Sequence, residues 1–145
     1  MPSVLLDTNV LIYTFDPRDE ARQEQAMALL LKLEETEKGC LSVQSLSEFA
    51  NAAMNKLHLS ADDVMKQVDE WQSAFPVFNL TPQIILEATR GVRDHQLSYY
   101  DAQIWASARL NQVPVVLSED FQDGQSLEGV RFLNPFAEKL VLDDW

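Results

Sequence analysis

Val4-Leu5-Leu6-Asp7-Thr8-Asn9-Val10-Leu11-Ile12-Tyr13 is the stretch on which the fold turns. Val4 to Leu6 is an unbroken apolar run, the pattern of a strand buried on both faces. The run stops at a carboxylate, and a second apolar segment follows Asn9. Asp7 therefore stands at a strand exit, and in open α/β sheets ligands bind just outside the carboxyl ends of parallel strands. The same position suits a helix cap, because an aspartate before Thr8 can satisfy backbone N–H groups left over in a first turn. Position alone does not separate the two roles.

The same alternation continues along the chain. After a turn at Asp16-Pro17-Arg18-Asp19, Ala21 to Lys38 reads as a helix with Ala26, Leu29, Leu30 and Leu33 at helical spacing, ended by Gly39. A brief strand, Cys40 to Val43, leads to a helix whose inner face is Leu46, Phe49, Ala50, Ala53 and Leu57. Ser60-Ala61-Asp62-Asp63 starts another, with Val64, Val68, Trp71 and Phe75 inward and Pro76 closing it. Val77 to Leu80 reads as a third strand, and Thr81-Pro82 opens a helix with Ile85, Ala88 and Val92 inward. Ser98-Tyr99-Tyr100-Asp101 begins a helix that is apolar on most sides from Ala102 to Leu110 and is expected to be the most buried. Val113-Pro114-Val115-Val116-Leu117 is a continuous apolar strand that stops at Ser118-Glu119-Asp120, and Val130-Arg131-Phe132-Leu133 is a short edge strand before Asn134-Pro135-Phe136. Strands alternating with helices imply an α/β fold with a mainly parallel central sheet and helices on both faces. No linker or repeat interrupts the 145 residues, so residues 1–145 read as a single domain.

Composition narrows the function classes. Hydrophobic residues make up 46%, with only four Gly and six Pro, which argues against disorder. No apolar run approaches the roughly 20 residues of a membrane span, the N-terminus lacks a signal-peptide layout, and Cys40 has no second cysteine to pair with. A cytoplasmic protein without a membrane partner is expected. Cys40 itself reads as a small core residue. Eleven Lys and Arg against 23 Asp and Glu give a net charge of −12, which argues against nonspecific nucleic-acid binding through a broad basic face. What remains is a basic partner, or a carboxylate-rich site that works with cations.

Four carboxylates occupy equivalent positions: Asp7 after the first strand, Glu48 and Asp101 in first turns of helices, and Asp120 after the Val115 strand. Each lies where an element begins or ends, on what a parallel sheet makes a common edge. Magnesium takes hard oxygen ligands, so carboxylates converging from separate elements suit it. Ser45-x-x-Glu48 and Ser98-x-x-Asp101 also match the capping box, as does Ser60-x-x-Asp63, which follows no strand, and Asp120 also fits an exposed acidic loop, Glu119 to Asp123. Capping does not explain why the acids gather at strand exits. Two carboxylates about 4 Å apart repel by roughly 4 kcal/mol at an effective dielectric near 20, so mutual repulsion is expected to raise their pKa values. His58 and His95 lack ligand spacing to each other, which argues against zinc.

Val4-Leu5-Leu6-Asp7-Thr8-Asn9, Ser47-Glu48-Phe49, Ser98-Tyr99-Tyr100-Asp101-Ala102 and Ser118-Glu119-Asp120-Phe121-Gln122-Asp123-Gly124 resemble, in order, the motifs of PIN-domain ribonucleases. The likeness is closest to the VapC-type toxins of prokaryotic toxin–antitoxin pairs and extends to Asn134-Pro135-Phe136. It implies a PIN-like three-layer sandwich and a site of Asp7, Glu48, Asp101 and Asp120 holding Mg²⁺ or Mn²⁺. Asp7 and Asp101 would be principal ligands, Glu48 a ligand or water-orienting base, and Asp120 a ligand of a second, weaker ion. Asn9 and Ser118 are implied as polar supports, Ser118 standing where many relatives carry threonine, and Asp123 as a candidate additional acid. The implied reaction is endonucleolytic hydrolysis of RNA to a 5′-phosphate and a 3′-hydroxyl. A small antitoxin protein and a homodimer are the implied partners.

Substrate contacts are sought among Arg90, Arg93 and His95 before Asp101, although basic groups there also suit a helix C-terminus. Tyr99 or Tyr100 would stack on a base, with core packing expected for at least one of them. Trp71 and Trp105 read as core, and Trp145 as a tail or interface residue. An aspartate-nucleophile phosphatase fits less well, because Asp7-x-Asn9 lacks the second aspartate that would serve as general acid. A receiver-like signalling domain leaves Glu48 unexplained and lacks a lysine after the late strand. A PIN-fold interaction module without activity, or a housekeeping RNA-processing nuclease without an antitoxin, remains the alternative to a toxin.

Overall fold

Successive strand residues point to opposite faces, so a strand buried on both sides feeds two cores. The computed structural model, which describes residues 1–137, has this arrangement. The elements are β1 (Val4–Leu6), α1 (Thr8–Tyr13), α2 (Glu20–Glu35), β2 (Gly39–Ser42), α3 (Val43–Asn55), α4 (Ala61–Ala74), β3 (Val77–Phe78), α5 (Pro82–His95), α6 (Tyr99–Leu110), β4 (Val115–Leu117), β5 (Ser126–Leu127) and β6 (Val130–Leu133). Val4 and Leu6, with Leu41, Val115 and Leu117, pack beneath the helices α1 to α4 through Leu29, Leu33, Phe49 and Trp71. Leu5, Cys40, Val116 and Phe132 face the other way, onto Ile84 and Ala88 of α5 and Trp105 of α6. Fully burying side chains of this size stabilises by about 1.5–3 kcal/mol each, before conformational entropy is subtracted. The result is three layers, with the sheet in the middle.

The strand order is β3-β2-β1-β4-β6-β5, parallel throughout except for β5 against β6. From β1 the chain builds outward through β2 and β3, then crosses to the other side for β4. Strand order therefore switches between β1 and β4, where a parallel α/β sheet opens a crevice at its carboxyl edge. Leu6 sits opposite Leu117 in register, and the Asp7 N–H donates to the Leu117 carbonyl at 3.0 Å. The residues that follow the two strands, Asp7 and Ser118, thus emerge side by side.

Several local boundaries differ from the sequence expectation, each for a physical reason. Helix α2 stops at Glu35, and Gly39 begins β2 instead of ending the helix; a Cβ at Gly39 would come within 3.0 Å of Leu33 and Phe75, so the strand's entry is packed too closely for a larger residue. Helix α3 starts at Val43, inside the expected strand, because the Ser42 hydroxyl caps it by accepting from the Ser45 N–H at 3.1 Å. Strand β3 ends at Phe78, two residues short of Leu80. The buried face of α5 is Ile84, Ala88 and Gly91, not Ile85, Ala88 and Val92, which leaves Ile85 and Val92 exposed. Trp105 fills the space opposite: a Cβ on Gly91 would meet its ring at 2.8 Å. Helix α6 is buried continuously from Ala102 to Ala108, as its composition implies. Tyr99 and Tyr100 are both exposed, so neither packs in the core. Strand β6 is interior, because Leu127-Glu128-Gly129-Val130 folds β5 onto it through a two-residue turn with φ of 49° at Glu128 and 86° at Gly129. Trp145 lies outside the described residues. No helix among the described residues is long and apolar enough to cross a membrane.

Candidate metal centre

Asp7 is built by two elements at once. It ends β1 and is the N-cap of α1, its Oδ1 accepting from the Thr8 N–H at 2.8 Å. Its Oδ2 accepts from the Ser118 hydroxyl at 2.8 Å, just beyond β4. Capping and site-building are one geometry here. Ser118 in turn accepts from Asn9 Nδ2 at 3.0 Å and from the Asp120 N–H at 3.1 Å. Asn9 reaches on to Asp120 Oδ2 at 3.1 Å, so Asn9 and Ser118 together clamp the loop after β4 against α1. Glu119 is turned away from this cluster, its carboxylate held by the Tyr13 hydroxyl at 2.7 Å and by Arg22 at 3.4 Å. That separation leaves Asp120, not its neighbour, facing Asp7.

Asp101 arrives from the opposite side, in the first turn of α6. One carboxylate oxygen from each of Asp7, Asp101 and Asp120 lies within 4.8 Å of the others. The Ser98-x-x-Asp101 pattern is not a capping box, since the Ser98 side chain makes no cap bond, whereas Ser60 does cap α4 by accepting from the Asp63 N–H at 3.1 Å. Glu48 stands just outside the mutual trio. It lies in the second turn of α3 because that helix begins earlier than expected, so Ser45-x-x-Glu48 is not a capping box either. Ser45 instead donates to the Leu6 carbonyl at 3.0 Å, pinning α3 to the end of β1.

Glu48 is held by residues that the sequence did not single out. Its Oε2 accepts from the Thr8 hydroxyl at 3.0 Å and its Oε1 from Gln44 Nε2 at 2.8 Å. Gln44 also donates to the Tyr100 carbonyl at 3.1 Å, and its own carbonyl oxygen accepts from Gln103 Nε2 at 2.8 Å. Two buried amides therefore tie α3 to α6 beneath the acids. Gln44 lies four residues before Glu48 on one helix face, which was a usable signal; Gln103 had none, since its role depends on how α6 packs.

Electrostatics follow from burial. Asp7 is 5% exposed, and desolvation pushes its carboxyl up to about 7, against the lowering hydrogen bonds from Ser118 and Thr8; the charges of Asp120 and Glu48 add less. Burial also raises Asp101, with the Ser98 hydroxyl opposing and Asp120 and Glu48 adding a smaller increment. Repulsion between the acids is present as expected, but desolvation is the larger cause. No Lys or Arg among the described residues pairs with Asp7, Glu48, Asp101 or Asp120. Three converging oxygen donors, one of them buried without a cationic neighbour, fit a hard divalent cation such as Mg²⁺ or Mn²⁺.

The other proposed site residues lie elsewhere. Asp123 is exposed, and its Oδ1 accepts from the Asn134 N–H at 2.9 Å, which ties the loop to the closing segment and leaves it outside the acidic trio. Arg90 is occupied: it pairs with Glu87, with Asp94 at 3.3 Å and with Glu128 at 3.0 Å, its guanidinium over the Trp105 ring. Arg93 holds Asp94 at 2.7 Å, and His95 sits 2.7 Å from Glu128. These basic groups brace the β5–β6 turn against α5 and α6. Tyr99 is partly exposed and packs edge-on against Tyr100, ring centres 5.4 Å apart.

The PIN domain family model matches residues 4–122. No curated protein sequence matches the chain. Among solved structures, a toxin–antitoxin complex from Klebsiella pneumoniae superposes with a TM-score of 0.65 at 22% identity, over 92% of this chain and 98% of that one. A DNA-bound VapBC from Salmonella typhimurium gives 0.64 at 21% identity, over 91% and 97%. The sarcin–ricin loop cleaving toxin VapC20 from Mycobacterium tuberculosis gives 0.61 at 16% identity, over 79% and 87%.

Proposed function

This chain belongs to the PIN-domain family, and from that premise we propose that it is a divalent-metal-dependent endoribonuclease, the toxin of a toxin–antitoxin pair. The observation that carries the reading is the convergence of Asp7, Asp101 and Asp120 within 4.8 Å at the carboxyl edge of a parallel sheet. Mg²⁺ or Mn²⁺ held there would supply positive charge against the scissile phosphate and lower the pKa of a bound water. Asp7 and Asp101 would be the principal ligands, and Asp120 would hold a second, weaker ion. Ser118 and Asn9 fix the rotamers of Asp7 and Asp120 before any cation arrives, so little ordering is left for the moment of binding. Glu48, aimed by Thr8 and Gln44, orients the attacking water or completes the ligand set. In-line attack by water oxygen on phosphorus, with the P–O3′ bond breaking and the departing 3′-oxygen taking up a proton, would leave a 5′-phosphate and a 3′-hydroxyl.

Residues 1–145 act as one domain in this reading, working in the cytoplasm, probed there by RNA and held in check by a small antitoxin. The net charge of −12 favours rapid association with a basic inhibitor segment. The similar solved structures include toxin–antitoxin complexes, which supports such a partner, and a homodimer is proposed by the same likeness. The test is cleavage of single-stranded and structured RNA by wild type and Asp7→Asn, with Mg²⁺ or with chelator. Cleavage that needs the ion and disappears in the variant is expected; metal-independent cutting, or an unaffected variant, refutes the mechanism. A short neighbouring reading frame encoding a DNA-binding protein that relieves growth arrest on co-expression separates the toxin from a housekeeping nuclease.

A further inference from the structure

Beside the acidic trio a cleft of about 400 Å³ opens between α3, the segment before α5, and the first turn of α6. That volume lies within the roughly 300–1,000 Å³ of small-ligand sites. Its apolar wall is Val43, Leu80 and Tyr100, which are 39%, 44% and 66% exposed. Apolar side chains of this size left open to water are the part of the surface that gains most from being covered. The floor is polar: Gln44 and Gln103 bond to each other, to Glu48 and to the Tyr100 carbonyl. Ser47, at the rim, offers a hydroxyl with no hydrogen bond among the described residues. Glu48 lines the cleft and its charge also reaches Asp7 and Asp101, so the two sites share a wall.

We propose that this cleft binds one unstacked nucleobase of single-stranded RNA, next to the phosphate positioned at the acids, with the Tyr100 ring as the stacking surface. This rests on the nuclease reading and adds to it a base subsite. Three observations favour a base over a phosphate or a charged peptide. No Lys or Arg lines the cleft, and Glu48 would repel an anion. Arg18, Arg22, Arg90, Arg93 and Arg109 are engaged by carboxylates of the same chain, and with no cation in the lining of the cleft the exposed Tyr100 ring is its main source of affinity for an RNA base. Tyr100 directly precedes Asp101, so a base on its ring is carried by the same helix turn that carries a metal ligand. Base–aromatic stacking tolerates any base, whereas the Ser47 hydroxyl and the Gln103 amide can discriminate among base edges. Recognition thus falls to Tyr100 rather than to the Arg90 group.

Two measurements test this. AMP, GMP, CMP and UMP, each titrated into the wild-type protein and followed by nuclear magnetic resonance, should shift the Val43 and Leu80 methyl signals, while ribose 5-phosphate should not. Equal shifts with ribose 5-phosphate, or none with any nucleotide, overturn the proposal; the second outcome would fit an apolar side chain of a protein partner instead. In cleavage of short single-stranded RNA, Tyr100→Ala and Leu80→Asp should each raise KM by about tenfold with kcat nearly unchanged, and Tyr100→Phe should restore it. A fall in kcat at unchanged KM would mean that Tyr100 acts only by placing Asp101, and would overturn the base subsite. If wild type cuts no RNA with either ion, the nuclease reading fails separately, and the nucleotide titration alone then decides the cleft.

Discussion

Two clusters of charge on this molecule use the same residue types to opposite ends. At the exits of β1 and β4, Asp7, Asp101 and Asp120 meet with Glu48 beside them and no cation among the described residues. Across the second core, Glu87, Asp94 and Glu128 meet Arg90, Arg93, Arg109 and His95. Burial lifts the Asp7 carboxyl to about 7; the Arg90 and His95 hydrogen bonds bring Glu128 down to about 2. The second cluster pairs its acids with its own basic groups and braces a turn. The first has hydrogen-bond donors but no cation of the protein against its charge, and that deficit marks it as the candidate metal site.

The contrast is broken most directly by neutralising one acid in each cluster. Asp101→Asn should lower metal-dependent RNA cleavage by about a thousandfold or more, since even groups that merely orient a metal ligand are worth about 10–100-fold, while Glu128→Gln should leave the rate within about threefold. Equal losses in the two variants would show that the clusters do not differ in kind.

Stability against pH should run in opposite directions for the two. In the folded chain Asp7 keeps its proton up to about 7, whereas its unperturbed value is 3.8. Between those limits the folded state binds more protons than the unfolded one, so metal-free stability falls as pH rises, by roughly 4 kcal/mol at most. Mg²⁺ or Mn²⁺ should remove the fall, and Asp7→Asn should flatten it; urea melts across this range measure both. Glu128 is lowered from 4.5, so its contribution is present above 4.5 and lost as pH drops toward about 2.

Gln103→Leu sharpens the comparison inside the first cluster. It strips Gln44 of a donor, and should reduce cleavage by about 10–100-fold through a misplaced Glu48, with a cost of about 1–3 kcal/mol for the unsatisfied carbonyl oxygen. Gln103→Glu should not rescue it, because the carboxylate cannot donate. The smallest effect is expected at the ion-pair cluster: Glu128→Gln should lower neutral-pH stability by no more than about 1 kcal/mol, and less at high salt, because these groups face water.

The acidic cluster was the more legible of the two in the sequence. Asp7 and Asp120 follow uninterrupted apolar strands, and Asp101 opens a helix with too few polar residues to lie on the surface. Local pattern reached these residues because backbone position alone brings them together. The ion-pair cluster was not legible: Arg90 and Glu128 are 38 residues apart, and they meet only because Glu128-Gly129 turns β5 back onto β6. The registers that slipped did so for tertiary reasons. Ser42 caps α3 where the β-branched Val43 suggested strand, and Trp105 requires Gly91 inward where Val92 is more hydrophobic. Thr8 and Gln103 carried too little local signal, since their partners lie on other elements.

Calorimetric titration of Mn²⁺ above pH 7 tests the central claim. Wild type and Glu128→Gln should bind the ion alike, and Asp7→Asn and Asp101→Asn should lose that binding; undiminished Mn²⁺ binding by Asp7→Asn would contradict the account.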